Sequence, residues 1–249
     1  MADANANVIP EERMIFDKTY QCYVCDMKFT AKTVRTGKAH LIDRDLDMRP
    51  RYDLIDAVKY GTIVCPQCGY AVMERYYKPM PKSQVAAIRD GISAKFNRPA
   101  DEGPYSYETA RSRMEIVLLN AIARNAKNSE RAYICLHLAW VVRGALEEME
   151  ALGEADPVKR QKLMEDEKNF IKNAAEGFIM ARQTEPIPMC GMDENSVDYL
   201  VAALLYETER YDEAAKLVMN VITSRSVKKQ LKDKADRLKD MIKEKKAEQ

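Results

Sequence analysis

The stretch Thr62-Ile63-Val64-Cys65-Pro66-Gln67-Cys68-Gly69 decides the fold of the first part of this chain. Its β-branched triplet reads as a strand. The strand runs straight into two cysteines separated by two residues and followed by glycine. That spacing lets both thiolates turn toward one cation from a single tight turn. A pair with the same spacing, Cys22-Tyr23-Val24-Cys25, lies upstream. Together Cys22, Cys25, Cys65 and Cys68 supply the four sulfurs of a closed tetrahedral site, the arrangement preferred by structural Zn²⁺. The chain between the pairs, residues 26–64, is longer than the roughly 15–20 residues of the compact pattern. It can leave as a β-ribbon and return.

Outward from the cysteines, Phe29 to Arg35 (FTAKTVR) alternates apolar and polar residues and predicts a strand. Ile42 to Pro50 (IDRDLDMRP) alternates charge and predicts a solvated loop. A segment rich in proline and aromatics, Arg75 to Pro81, closes this part. Residues 15–82 therefore read as a small zinc-ribbon-like β module, preceded by a disordered or loosely packed start over residues 1–14.

From Ser83 the period becomes helical. Ser83 is the expected N-cap of a short helix with Val85, Ile88 and Ile92 on one face. Asn97 to Pro104 (NRPADEGP) is a break, so residues 83–104 read as a short helix and linker. Residues 105–249 read as an all-α domain. Ala110, Met114, Val117, Leu118, Ala121 and Ile122 predict one buried stripe. Ile134, Leu138, Val141, Ala145 and Met149 predict another, with Leu136 and Trp140 pointing elsewhere, as in a helix sandwiched between neighbours. Pro157 suits a first helical turn. Helices over Val197–Leu204, Tyr211–Ile222 and Val227–Ile242 follow, the last with a solvated charged face. The fold class is α+β.

Hydrophobic residues make up 46% of the 249 and charged residues 32%, with a net charge of +1. No global field draws such a chain to nucleic acid or acidic lipid. Neither a targeting segment nor an apolar run long enough to span a bilayer is visible, so a cytoplasmic protein without a membrane partner is expected. Two cysteines fall outside the pairs. Cys135, inside an apolar helix, reads as a small buried residue, and Cys190, in a proline-rich loop, has no role assigned.

Four cysteines close a metal's coordination sphere, whereas catalytic zinc keeps an open position. Only two histidines exist, His40 and His137. His40, between the knuckles, is the alternative ligand; His137 reads as a core or boundary residue. No HExxH, GxSxG or phosphate-binding glycine loop is present, so no enzyme is expected. Iron is the alternative metal, since the Cys-Pro-x-Cys-Gly form also occurs in rubredoxin-like carriers and tetrahedral sulfur suits either ion. A helical body this large favours zinc over an electron carrier. Nucleic acid is the rival partner. Lys28, Lys32, Arg35, Lys38, Arg44, Arg49 and Arg51 surround the site, but Asp26, Asp43, Asp45, Asp47 and Asp53 interleave with them and weaken phosphate attraction.

Two resemblances follow. Val197 to Ile222 resembles a tetratricopeptide (TPR) repeat, with small Ala202 in its first helix and Tyr211-Asp212-Glu213-Ala214-Ala215 opening its second. It departs where Asp198 stands in place of a tryptophan. The order of features as a whole resembles the bacterial domain-of-unknown-function family DUF2225. The carriers are Cys22-Tyr23-Val24-Cys25-Asp26-Met27-Lys28-Phe29, Val34-Arg35, Asp47-Met48-Arg49-Pro50-Arg51-Tyr52, Ile63 to Ala71, Leu138 to Arg143 and Tyr199-Leu200. That resemblance spans roughly residues 15–245. It implies a zinc-ribbon-like head on a TPR-like body and supplies no activity. Asp26 stands where glycine often follows a knuckle, a position whose left-handed backbone Asp tolerates with modest strain. The expectation is a non-enzymatic cytosolic zinc protein whose helices bind another protein, with a nucleic-acid-binding ribbon and a rubredoxin-like redox protein as alternatives.

Overall fold

The computed structural model describes residues 10–97 and 103–248. Most of the expected loose start, and part of the expected linker, lie outside those residues. Within them three antiparallel β-hairpins are followed by seven α-helices, an α+β fold. The chain forms two compact units. One runs up to Arg44 and again from Pro50 to Asn125; the other comprises Asp45–Arg49 and the chain from Ala126 onward.

In the first unit β1 (Ile15–Gln21) pairs with β2 (Lys28–Val34), β3 (Leu41–Arg44) with β4 (Pro50–Tyr52), and β5 (Thr62–Val64) with β6 (Ala71–Met73). The expected strands over Phe29–Arg35 and Thr62–Val64 are both present. In β2, Phe29 and Ala31 are buried while Lys28 and Thr30 are exposed. One core joins Tyr20, Phe29, Ile63, Tyr70 and Val72 to Ile88 of α1 (Lys82–Gly91), with Val85 and Ile92 against it. That helix is flanked by Pro81 at the N-cap, so Ser83 sits inside the first turn and caps nothing. Pro81 adopts an extended backbone before the turn, which leaves no capping role for the serine.

Helix α2 (Tyr107–Ala123) begins at Ser106, whose hydroxyl accepts from the Thr109 N–H at 3.0 Å. Ala110, Met114, Val117 and Ala121 are buried as expected, but Ile122 is exposed and two polar residues, Arg113 and Asn120, are buried. Arg113 donates to the Thr62 hydroxyl and carbonyl at 3.3 and 3.4 Å. These bonds explain why α2 belongs to the first unit. The domain boundary expected near residue 104 is thus drawn by contacts at Asn125, one helix later.

In the second unit α3 (Asn128–Leu152) and α4 (Pro157–Thr184) form an antiparallel hairpin. Ser129 at the start of α3 meets Glu185 just beyond α4, and Glu150 meets Arg160. A Cβ on Gly177 would lie 2.8 Å from that of Ala132, so glycine sets how closely the two backbones approach. Pro157 occupies the first turn, with the Asp156 carboxylate accepting from the Lys159 N–H at 2.9 Å. Helices α5 (Glu194–Glu207), α6 (Tyr211–Thr223) and α7 (Lys229–Ala247) pack in sequence; α5 and α6 are antiparallel, joined by a three-residue turn. Asp198 is buried and ion-paired with Arg182 at 2.7 Å.

The expected solvated loop over residues 42–50 is corrected by the structure. Its middle, Asp45–Arg49, is part of the helical unit, with Asp47 0% and Arg49 2% exposed. The Trp140 indole N–H donates to Asp47 at 2.9 Å. Arg143 meets Asp45 (3.4 Å), Asp47 (3.0 Å), Glu167 (2.6 Å) and Glu207 (3.1 Å), while Arg49 pairs with Glu147 at 3.1 Å. Charges are buried only where such partners compensate lost hydration. Burial, then the neighbouring Asp47, pushes the Glu207 carboxyl well above the usual carboxylate range.

Candidate metal centre

Each knuckle is a short turn between two strands. In the first, the Cys22 N–H donates to the Met27 carbonyl (2.9 Å) and the Asp26 N–H to the Cys22 carbonyl (3.0 Å). In the second, the Cys65 N–H donates to the Tyr70 carbonyl (2.8 Å) and the Gly69 N–H to the Cys65 carbonyl (3.0 Å). The same two bonds recur at equivalent positions, so equal spacing yields equal turns. The residue after the second cysteine is left-handed in both, Asp26 at φ 64° and Gly69 at φ 70°. The strain expected at Asp26 is present, and the Gln21 amide offsets it by donating to the Asp26 carbonyl (2.9 Å) and carboxylate (2.7 Å).

The two turns bring all four sulfurs together, within 4.8 Å of one another. Cys22 Sγ lies 3.5 Å from Cys68 Sγ, and Cys25 Sγ 3.7 Å from Cys65 Sγ. A tetrahedron of thiolates about 2.3 Å from a central ion has edges of about 3.8 Å, so this spacing fits a metal. Cys22, Cys65 and Cys68 are buried and Cys25 is half-buried. Hydrogen bonds from Cys22 and Cys68 pull the Cys65 thiol down. The contact with Cys65 pushes Cys22 up, and the contact with Cys22 pushes Cys68 up. Sulfurs this close cannot all ionise alone; a cation at their centre permits it. Main-chain N–H groups of Val24 and Cys25 also point at Cys22 Sγ, at 3.4 and 3.5 Å, the charge-stabilising contacts a thiolate ligand uses.

The surrounding layer was not foreseen from sequence. Asn120 of α2 donates from its amide to the Gly69 carbonyl at 2.9 Å, as Gln21 does for Asp26. Arg89 of α1 donates to the Val24 carbonyl at 2.6 Å. The Phe96 ring lies against Gly69 so closely that a Cβ there would sit 2.5 Å from it. Asn120 breaks the apolar stripe of its helix, and that interruption was the available signal. Nothing local marks Phe96 or Arg89.

His40 is not among the grouped ligands; its Nδ1 lies 2.9 Å from the Asp53 carboxylate, which it holds below its usual range. His137 is half-buried and packs against Tyr133 and Trp140, with ring centroids 4.6 and 4.4 Å away. Cys135 is buried, and its thiol is pushed up to about 11 by that burial. The Cys190 thiol donates to the Ser129 carbonyl at 3.2 Å. Among the described residues no helix is long and apolar enough to cross a membrane.

The model of one family, described as an uncharacterized protein conserved in bacteria, matches residues 15–248. No curated protein and no solved structure matches the chain.

Proposed function

The chain belongs to the DUF2225 family, and on that premise we propose that it is a non-enzymatic cytosolic protein in which a structural zinc ion supports a TPR-like protein-interaction scaffold. The observation that carries the metal is the sulfur spacing, close to the edge of a tetrathiolate site. Zinc is preferred over iron because the chain carries a helical body far larger than an electron carrier needs. Its role is structural: four cysteines fill the sphere and leave no position for a substrate. Zinc binding contributes on the order of 10–16 kcal/mol to folding in zinc-finger peptides. The scaffold reading is supported by the antiparallel α5–α6 hairpin, closed over a fully buried Ala202. Its partner is a protein of unknown identity.

Metal analysis of protein purified without added metal tests the first half. About one equivalent of zinc per chain is expected, and Cys65→Ser should abolish it. Iron with thiolate charge-transfer colour would favour the redox reading, and undiminished zinc in the variant would remove the shared site. Affinity purification from native cells tests the second half. Recovery of nucleic acid in a salt-sensitive way, without protein, would favour the nucleic-acid reading.

A further inference from the structure

Among the described residues strand β2 pairs with β1 alone, and β5 with β6 alone. Main-chain bonding fixes which residues face outward. The Cys22–Met27 bond and the register place Phe29, Ala31 and Thr33 on the β1 side, so Lys28, Thr30 and Lys32 turn their N–H and C=O away. The Lys32 N–H confirms the direction by donating to the Tyr105 hydroxyl at 3.3 Å. On β5 the Cys65–Tyr70 bond puts Ile63 on the β6 side, leaving Thr62 and Val64 facing outward. The Thr62 carbonyl accepts from Arg113 in that direction. Both outward edges line one cavity of ≈ 400 Å³, within the range of ligand sites.

The cavity is also charged. Among the described residues Lys28, Lys32 and Arg113 line it with one carboxylate, Asp17, which Lys32 meets at 2.9 Å. Arg113 is 2% exposed and its guanidinium lies 4.5 Å from the Tyr105 ring centroid, so its charge is fixed in the wall of the cavity. An open strand edge binds another strand through main-chain hydrogen bonds, with side chains giving specificity.

We propose that this cavity binds an acidic peptide in extended conformation, paired with the outer edge of β2 at Lys28 and Thr30 and with a carboxylate toward Lys28. Every residue that lines the site belongs to the first unit.

The test is titration of the full-length, metal-loaded protein with a pool of capped pentapeptides carrying Glu at alternate positions, followed by amide chemical shifts. Saturable binding is expected, with the Lys28, Thr30 and Val64 amides shifting most. Methylating the peptide nitrogens along one edge should abolish it while leaving the charge intact. Thr30→Pro removes only an outward donor, so the fold should persist and affinity should fall at least about tenfold; Lys28→Glu should act likewise through charge. Equal binding of the methylated peptides, unchanged affinity in a folded Thr30→Pro, saturation by inorganic phosphate in place of peptide, or no binding by any member of the pool would each overturn the proposal.

Discussion

Gly69 meets two demands that the equivalent Asp26 meets only in part. Both sit at positive φ, but the Phe96 ring occupies the space that a side chain on Gly69 would need. Gly69→Ala should therefore destabilise the first unit by about 2 kcal/mol or more, the left-handed cost adding to the clash. Thermal melts and competition with a chelator would show it, and adding Phe96→Ala should recover the steric part alone. Asn120→Leu leaves the Gly69 carbonyl without its amide donor in a buried place, a loss of about 1–3 kcal/mol that denaturant unfolding would read. The four cysteines were legible because their spacing is a local constraint on a single turn. Phe96 was not, because its role depends on where α1 delivers it.

At the scale of elements, the charged pocket of the helical unit carries a pH signature. One arginine, Arg143, faces Asp45, Asp47, Glu167 and Glu207, and the surplus negative charge adds to the burial that raises Glu207. A carboxyl whose folded pKa lies above its unfolded value binds more protons when folded, so stability falls as pH rises between the two values and is flat above them. For Glu207 that window runs from the ordinary carboxylate range to about 8. Glu207→Gln should flatten the fall across this window and stabilise the helical unit at pH 8.5 by on the order of 1–3 kcal/mol, read from urea unfolding at several pH values. Helices α2 to α7 were readable from their apolar periodicity and from Pro157. The segment Asp45–Arg49 reads as solvated from sequence because its alternating charge has the composition of a surface loop, yet its partners in the helical unit bury Asp47 and Arg49.

For the whole molecule, the division into units predicts what survives loss of the metal. The cysteines share their core with Tyr20, Phe29, Ile63 and Ile88, so Cys65→Ser should unfold the first unit, α2 included, while the later helices persist. Limited proteolysis should then leave a fragment beginning near Ala126, one helix later than residue 105. That fragment lacks Asp47 and Arg49, so it should keep its helical circular dichroism yet melt below the same helices in the intact chain. By itself the sequence determined the two knuckles, the strands that lead into them and the helical periodicity of the second half. Each of these is set within a few residues, by turn geometry or by the repeat of one face. Only the tertiary structure decided that Asp47 is buried under Trp140, 93 residues away, that Asn120 and Phe96 enclose Gly69, and that β2 and β5 turn their outer edges to one cavity. Burying a charge or leaving an edge unpaired depends on partners distant in the chain, and neither propensity nor periodicity carries that information. The two knuckles remain the clearest local signal, and the fold around them supplies the layer that local spacing could not.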